Sequence, residues 1–174
     1  MRFVAKAKAV FVHSVLLSCV LALLPAESLT LRQAVELAVD GNLSYKAAFV
    51  APGLFEQTHH LSEMQNALIY YMEYEDEMHD LIKYLTEFEL KLAESTCDKL
   101  HPDMCFHHDD WGSETNSFFR PSVFEDFFLE PYKEIYGYYH DHGCEMVVHH
   151  SDSYGANLVP YMIEMGINVW QGPM

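Results

Sequence analysis

Asp109 and Asp110 stand side by side between His107-His108 and Trp111, and they are the residues of this chain best suited to acid–base work. A carboxyl group set against an opening can deliver a proton to a carbon or steady a developing cation. Successive side chains of an extended segment alternate, so the two cannot point the same way. One faces an opening while the other supports a neighbouring loop. Aspartates near turns also cap loops with no chemistry at all, and His107 and His108 also serve as packing residues. A second cluster, Phe55, Glu56, His59 and His60, follows Pro52-Gly53. Phe55 offers an apolar wall and Glu56 a polar anchor, although a Glu opening a helix equally complements the helix dipole. A third run, Tyr136, Tyr138, Tyr139, His140 and His142, falls along one helix and reads as core on one side and wet surface on the other.

Composition narrows what such clusters can serve. The 174 residues carry 10 Lys+Arg against 26 Asp+Glu, a formal net charge of −16. Nucleic-acid affinity comes from basic groups that displace counterions, so nucleic acid is excluded as a partner. Half of the residues are hydrophobic and 14% aromatic, which excludes a disordered acidic chain. There is no GxGxxG, Walker loop, GxSxG or HExxH, which argues against nucleotide chemistry, nucleophile-elbow hydrolysis and the common zinc proteases.

The elements that must position these residues alternate along the chain. Thr30 caps a helix over 31–40, and 46–51 is a short buried strand ended by Pro52-Gly53. Ser62 caps a helix through about residue 72, and a long helix follows over 75–100. Its apolar stripe is Met78, Leu81, Ile82, Leu85, Phe88 and Leu92, with the acidic residues on the solvated face. Residues 103–107 form a second strand. A helix with capping-box spacing starts at Ser122, is kinked or split by Pro131, and ends at Gly143. A third strand spans 145–149, a helix spans 157–165, and a fourth strand begins at 167. Strand and helix in alternation are the signature of parallel βαβ units. The polar clusters all fall just after strands, which in a β/α barrel is the face where sites are built. A full eight-fold barrel needs about 250 residues. The expected fold is α/β, a partial (β/α)8 TIM barrel of roughly the central half, and the chain reads as a fragment.

Residues 1–28 stand apart. Arg2, Lys6 and Lys8 precede an apolar run over 10–24, and Ala26-Glu27-Ser28 resembles a small-residue cleavage site, the pattern of a secretory signal peptide. His13, Ser14 and Ser18 interrupt the run, so no membrane span is expected. Cys97, Cys105 and Cys144 are an odd set without metal-type spacing. The domain reading is a leader-like segment, 1–28, and an incomplete barrel domain, 29–174.

Several blocks between residues 48 and 170 together resemble the uroporphyrinogen decarboxylase superfamily. Val50-Ala51-Pro52-Gly53-Leu54-Phe55-Glu56 is similar to its GxFE block, with His60-Leu61 and Asn66-Ala67-Leu68 following. His108-Asp109-Asp110-Trp111-Gly112-Ser113-Glu114-Thr115 is similar to its DDxGTQ loop. Arg120-Pro121, Pro131-Tyr132-Lys133 and Ile135 match its next helix, and Val148-His149-His150-Ser151-Asp152-Ser153 sits where the corrinoid methyltransferase-like branch has xxHxCG.

The resemblance implies a methyl transfer between a corrinoid and an acceptor at a metal-assisted site, with Asp110 and Asp109 as catalytic residues. It implies zinc held by His150 and by Asp152, which replaces the family's Cys; zinc accepts carboxylate oxygen, but a carboxylate favours harder metals. Phe55, Glu56, His108, Trp111 and Tyr154 are the expected substrate-binding residues. A corrinoid protein or a tetrapyrrole-like small molecule is the expected partner. The alternatives are a cofactor-free tetrapyrrole decarboxylase and a non-catalytic fragment that self-associates through exposed strand edges. The family is cytoplasmic, which sets a cytoplasmic expectation against the exported alternative of a true signal peptide.

Overall fold

The computed structural model describes residues 46–172. The expected leader segment and the helix over 31–40 lie outside them. Four strands, β1 (Ala47–Val50), β2 (Met104–His108), β3 (Met146–His150) and β4 (Val169–Gln171), form one sheet in the order β1-β2-β3-β4. Every neighbouring pair is parallel, with Val50 opposite His107, His107 opposite His149 and His150 opposite Gln171. Parallel neighbours need a crossover, and helices supply it. Between β1 and β2 run α1 (Leu54–Ser62), α2 (Met64–Glu73) and α3 (Glu75–Leu100). Between β2 and β3 come α4 (Pro121–Phe124), a π-helical turn (Glu125–Leu129) and α5 (Glu130–Asp141). A 3₁₀ turn (Ala156–Leu158) and α6 (Val159–Glu164) lead to β4.

The period of two sorts the strand residues between two faces. Ala48, Val50, Cys105, His107, Val147 and His149 are buried on the face covered by helices. Phe49, 69% exposed, stacks on Phe106 on the other face, where Met146 and Val169 are also exposed. The core lies between helices and sheet and is largely aromatic, with Phe55, Tyr71, Phe119, Phe128, Tyr132 and Tyr136 all buried. The thiols of Cys97, Cys105 and Cys144 are buried and free. Among the described residues no helix is long and apolar enough to cross a membrane.

Local departures from the sequence reading have physical causes. Ser62 is the last residue of α1, its hydroxyl donating to the Thr58 carbonyl, and the break falls at Glu63 with φ 67°. Met78, Ile82 and Leu85 are buried as the stripe requires, but Phe88 and Leu92 are exposed. The buried line instead continues through Thr86, Glu89, Ala93 and Cys97. Pro121 opens the helix that leads to α5, and no side chain caps it, so the capping box is not used. Pro131 is absorbed without a split: the chain widens into the π-helical turn just before it, which accommodates the missing amide hydrogen.

Candidate functional site at the C-terminal ends of the strands

The site begins with the start of α1. Gly53 precedes this helix and offers no side-chain cap, so its first amides need a partner from elsewhere. Asp109, in the loop after β2, supplies it. Its carboxylate accepts the amides of Phe55 at 3.0 Å and Glu56 at 2.8 Å, and the indole N–H of Trp111 at 2.8 Å. The Tyr132 hydroxyl donates to the same carboxylate and accepts the Leu54 amide at 2.9 Å. Burial pushes the Asp109 carboxyl up from its ordinary value, and the four donors pull it back. Gly53 is required by this closeness: a Cβ there would stand 2.5 Å from the Asp109 Cβ.

This architecture corrects three expectations. Asp109, expected at an opening, is fully buried with its oxygens occupied, and it positions the start of α1. Phe55 is 0% exposed and packs edge-on against Phe119, so it belongs to the core and not to a pocket wall. Trp111 is equally buried, stacked on His149 with centroids 3.9 Å apart. All three are buried.

Alternation throws the next residues the other way. Glu56, on the first turn of α1, His108, at the end of β2, and Asp110 converge, and one ligand atom from each lies within 4.8 Å of the others. The imidazole stands between the two carboxylates, with Nδ1 at 3.7 Å from Glu56 Oε2 and Nε2 at 3.6 Å from Asp110 Oδ1. Burial first, then the charges of Asp109 and Asp110, pushes the Glu56 carboxyl up to about 7. Glu56 is mostly shielded; Asp110 is 36% exposed.

The loop after β3 joins this group. Asp110 Oδ1 accepts the Asp152 amide at 2.8 Å, and the His108 and His150 rings meet edge to face at 4.7 Å. His150 Nε2 stands 3.6 Å from Asp152 Oδ2, and its Nδ1 contacts the Gln171 side-chain oxygen. His150 and Asp152, the expected zinc ligands, offer two donors, and among the described residues no third completes a group with them. Among the described residues, Glu56, His108 and Asp110 form the one group of three that could hold an ion. Tyr154 is partly exposed, and its amide donates to the Ser113 carbonyl at 2.8 Å, tying the loop after β3 to the loop after β2. His59 stays apart from the triplet and packs on Phe55 and His60.

A second polar layer lies behind the sheet, and reading the acidic face of α3 as solvated missed it. Glu89 is 2% exposed and bonds His107 Nε2 at 2.9 Å and Gln57 at 2.9 Å. His149 bonds the Tyr136 hydroxyl at 3.1 Å and the Asp109 carbonyl at 3.2 Å. Burial, then the neighbouring His107, holds its pKa well below the usual imidazole range. Helical spacing was the available signal: Glu89 lies four residues from both Leu85 and Ala93, on their side of α3.

Compared with protein-family models, curated proteins and solved structures, the chain finds no match in any of the three.

Proposed function

We propose that the chain is a uroporphyrinogen decarboxylase-superfamily protein of the corrinoid methyltransferase-like branch, built on part of a (β/α)8 barrel. It would transfer a methyl group between a corrinoid and an acceptor at the rim formed by Glu56, His108, Asp110 and His150. The observation that carries this reading is that Asp110 and His150 emerge side by side at the C-terminal ends of adjacent parallel strands. The strand order supports the barrel: it runs in one direction without the reversal of a doubly wound sheet.

A bound methylcorrinoid would supply an electrophilic methyl group, keeping the electron pair of the bond to carbon that breaks. The rim residues then have two tasks. The imidazole of His108, flanked by two carboxylates, takes the proton that the acceptor must lose as its lone pair forms the new bond to carbon. Asp110 holds that imidazole and, through the Asp152 amide, fixes the loop that follows His150. Decarboxylation of a tetrapyrrole stands second. Such a polycarboxylate would meet Glu56, Asp110 and Asp152, and among the described residues no Lys or Arg pairs with any of them.

The test is methylcobalamin mixed with a thiol acceptor and the full chain, followed by the absorbance change of the demethylated corrinoid. Turnover should exceed the protein-free rate, and Asp110→Asn should lower it about 100-fold. A wild-type rate equal to the protein-free rate contradicts the proposal.

A further inference from the structure

The fold brings together three metal-ligating side chains from two segments, Glu56 on α1 and His108 with Asp110 at the end of β2, and they are not the pair that the family resemblance marks for zinc. We infer that Glu56, His108 and Asp110 form a binding site for a divalent first-row transition-metal ion, displaced by one strand from His150 and Asp152. The inference does not rest on methyl transfer.

Geometry carries it. An ion with ligand bonds near 2 Å in a tetrahedral site spaces its ligands about 3.3 Å apart. The three donor atoms lie within 4.8 Å of one another, so small side-chain rotations bring them to one ion. The donors are also held from behind. The Glu56 backbone is pinned by Asp109, His108 is the last residue of a strand paired with β3, and Asp110 is tied to the Asp152 amide. A fixed supporting shell of this kind orients ligands. Charge is the second, separate argument: among the described residues no Lys or Arg pairs with either carboxylate, and His108 is the basic group beside them. A divalent cation balances them.

His150 and Asp152 fall short on the same criteria. They come from one segment at the end of β3, and among the described residues no donor from a second segment completes a group of three with them.

One nitrogen and two carboxylate oxygens, with no thiolate, select a borderline ion such as zinc or cobalt(II) over copper(I). The site keeps open positions, because three ligands do not fill a tetrahedron.

Calorimetric titration of the full chain, stripped with a chelator, with zinc chloride at neutral pH tests this. One ion per chain should bind. His108→Asn and Asp110→Asn should each weaken binding by at least about 100-fold, beyond what a lost supporting contact costs. His150→Ala should leave affinity within about threefold, a change of under 1 kcal/mol. Circular dichroism of each variant separates lost ligands from lost folding. Cobalt(II) supplies a second readout, since its visible spectrum should change on binding to the wild-type chain and not to His108→Asn. No 1:1 binding overturns the inference and leaves His108 as a polar side chain between two carboxylates. Binding abolished by His150→Ala but kept in His108→Asn overturns it in favour of the other pair. Binding heat is independent of turnover, so this experiment can fail while methyl transfer stands, and the reverse.

Discussion

Asp109 and Asp110 are neighbours in sequence with opposite duties, and single substitutions separate them. Asp109→Ala strands two amides, an indole N–H and a phenol in the core. Each buried orphan costs about 1–3 kcal/mol, so the loss should exceed about 4 kcal/mol and appear as a collapsed denaturation midpoint. Asp110→Asn should change the midpoint little, because its carboxylate is partly exposed. Equal destabilisation by the two would contradict the division of labour. Glu56 makes stability depend on pH. Its folded pKa of about 7 lies above the ordinary 4.5, so the folded chain holds this proton more tightly than the unfolded chain. The stabilisation is fully present below pH 4.5 and is lost as pH rises through 7, about 3 kcal/mol in all. Urea melts at pH 5 and pH 8 should show Glu56→Gln gaining on wild type at the higher pH. The difference between the two proteins isolates Glu56 from His149, whose depressed pKa acts in the opposite direction. An identical pH profile for both would refute this role for Glu56.

At the scale of elements, α3 shows how far periodicity carries. Its approximate span was readable from the apolar repeat. The buried face was not fully readable, because hydropathy favours Phe88 and Leu92, and the packed line instead takes in Thr86, Glu89 and Ala93. Glu89 is acceptable there because His107 and Gln57 satisfy it, and those partners are distant in sequence. Ile82→Ala should therefore cost about 2–4 kcal/mol, whereas Phe88→Ala should stay within about 0.5 kcal/mol. Thermal melts of both check the face assignment, and a large loss at Phe88 would contradict it. The start of α1 gives a parallel case. Its cap comes from a residue more than fifty positions away, which no local motif could announce. Gly53→Ala should disturb that cap and destabilise by about 1–3 kcal/mol through overpacking.

For the molecule as a whole, the alternation of strands and helices was legible, and so was the placement of polar clusters after strands. Which members of those clusters face outward was not, because strand parity combined with tertiary burial sends Phe55, Asp109 and Trp111 inward and Glu56, His108 and Asp110 to the rim. Among the described residues β1 and β4 each pair on one side only, and the face carrying Phe49, Met146 and Val169 has no helix over it. Open edges and exposed apolar residues favour pairing between chains. Sedimentation should show the full chain self-associated and Phe49→Lys shifted toward monomer; a wild-type monomer would contradict this. The whole account depends on the strand ends after β2 and β3 forming one rim, and a cross-link tests that most directly. His108 and His150 are opposite residues on adjacent parallel strands with rings on the same face, within the Cα spacing a disulfide spans. The double variant His108→Cys with His150→Cys should form that bond under mild oxidation, seen by mass spectrometry as one linked peptide pair. Two persistently free thiols at these positions would show that the strand ends do not meet.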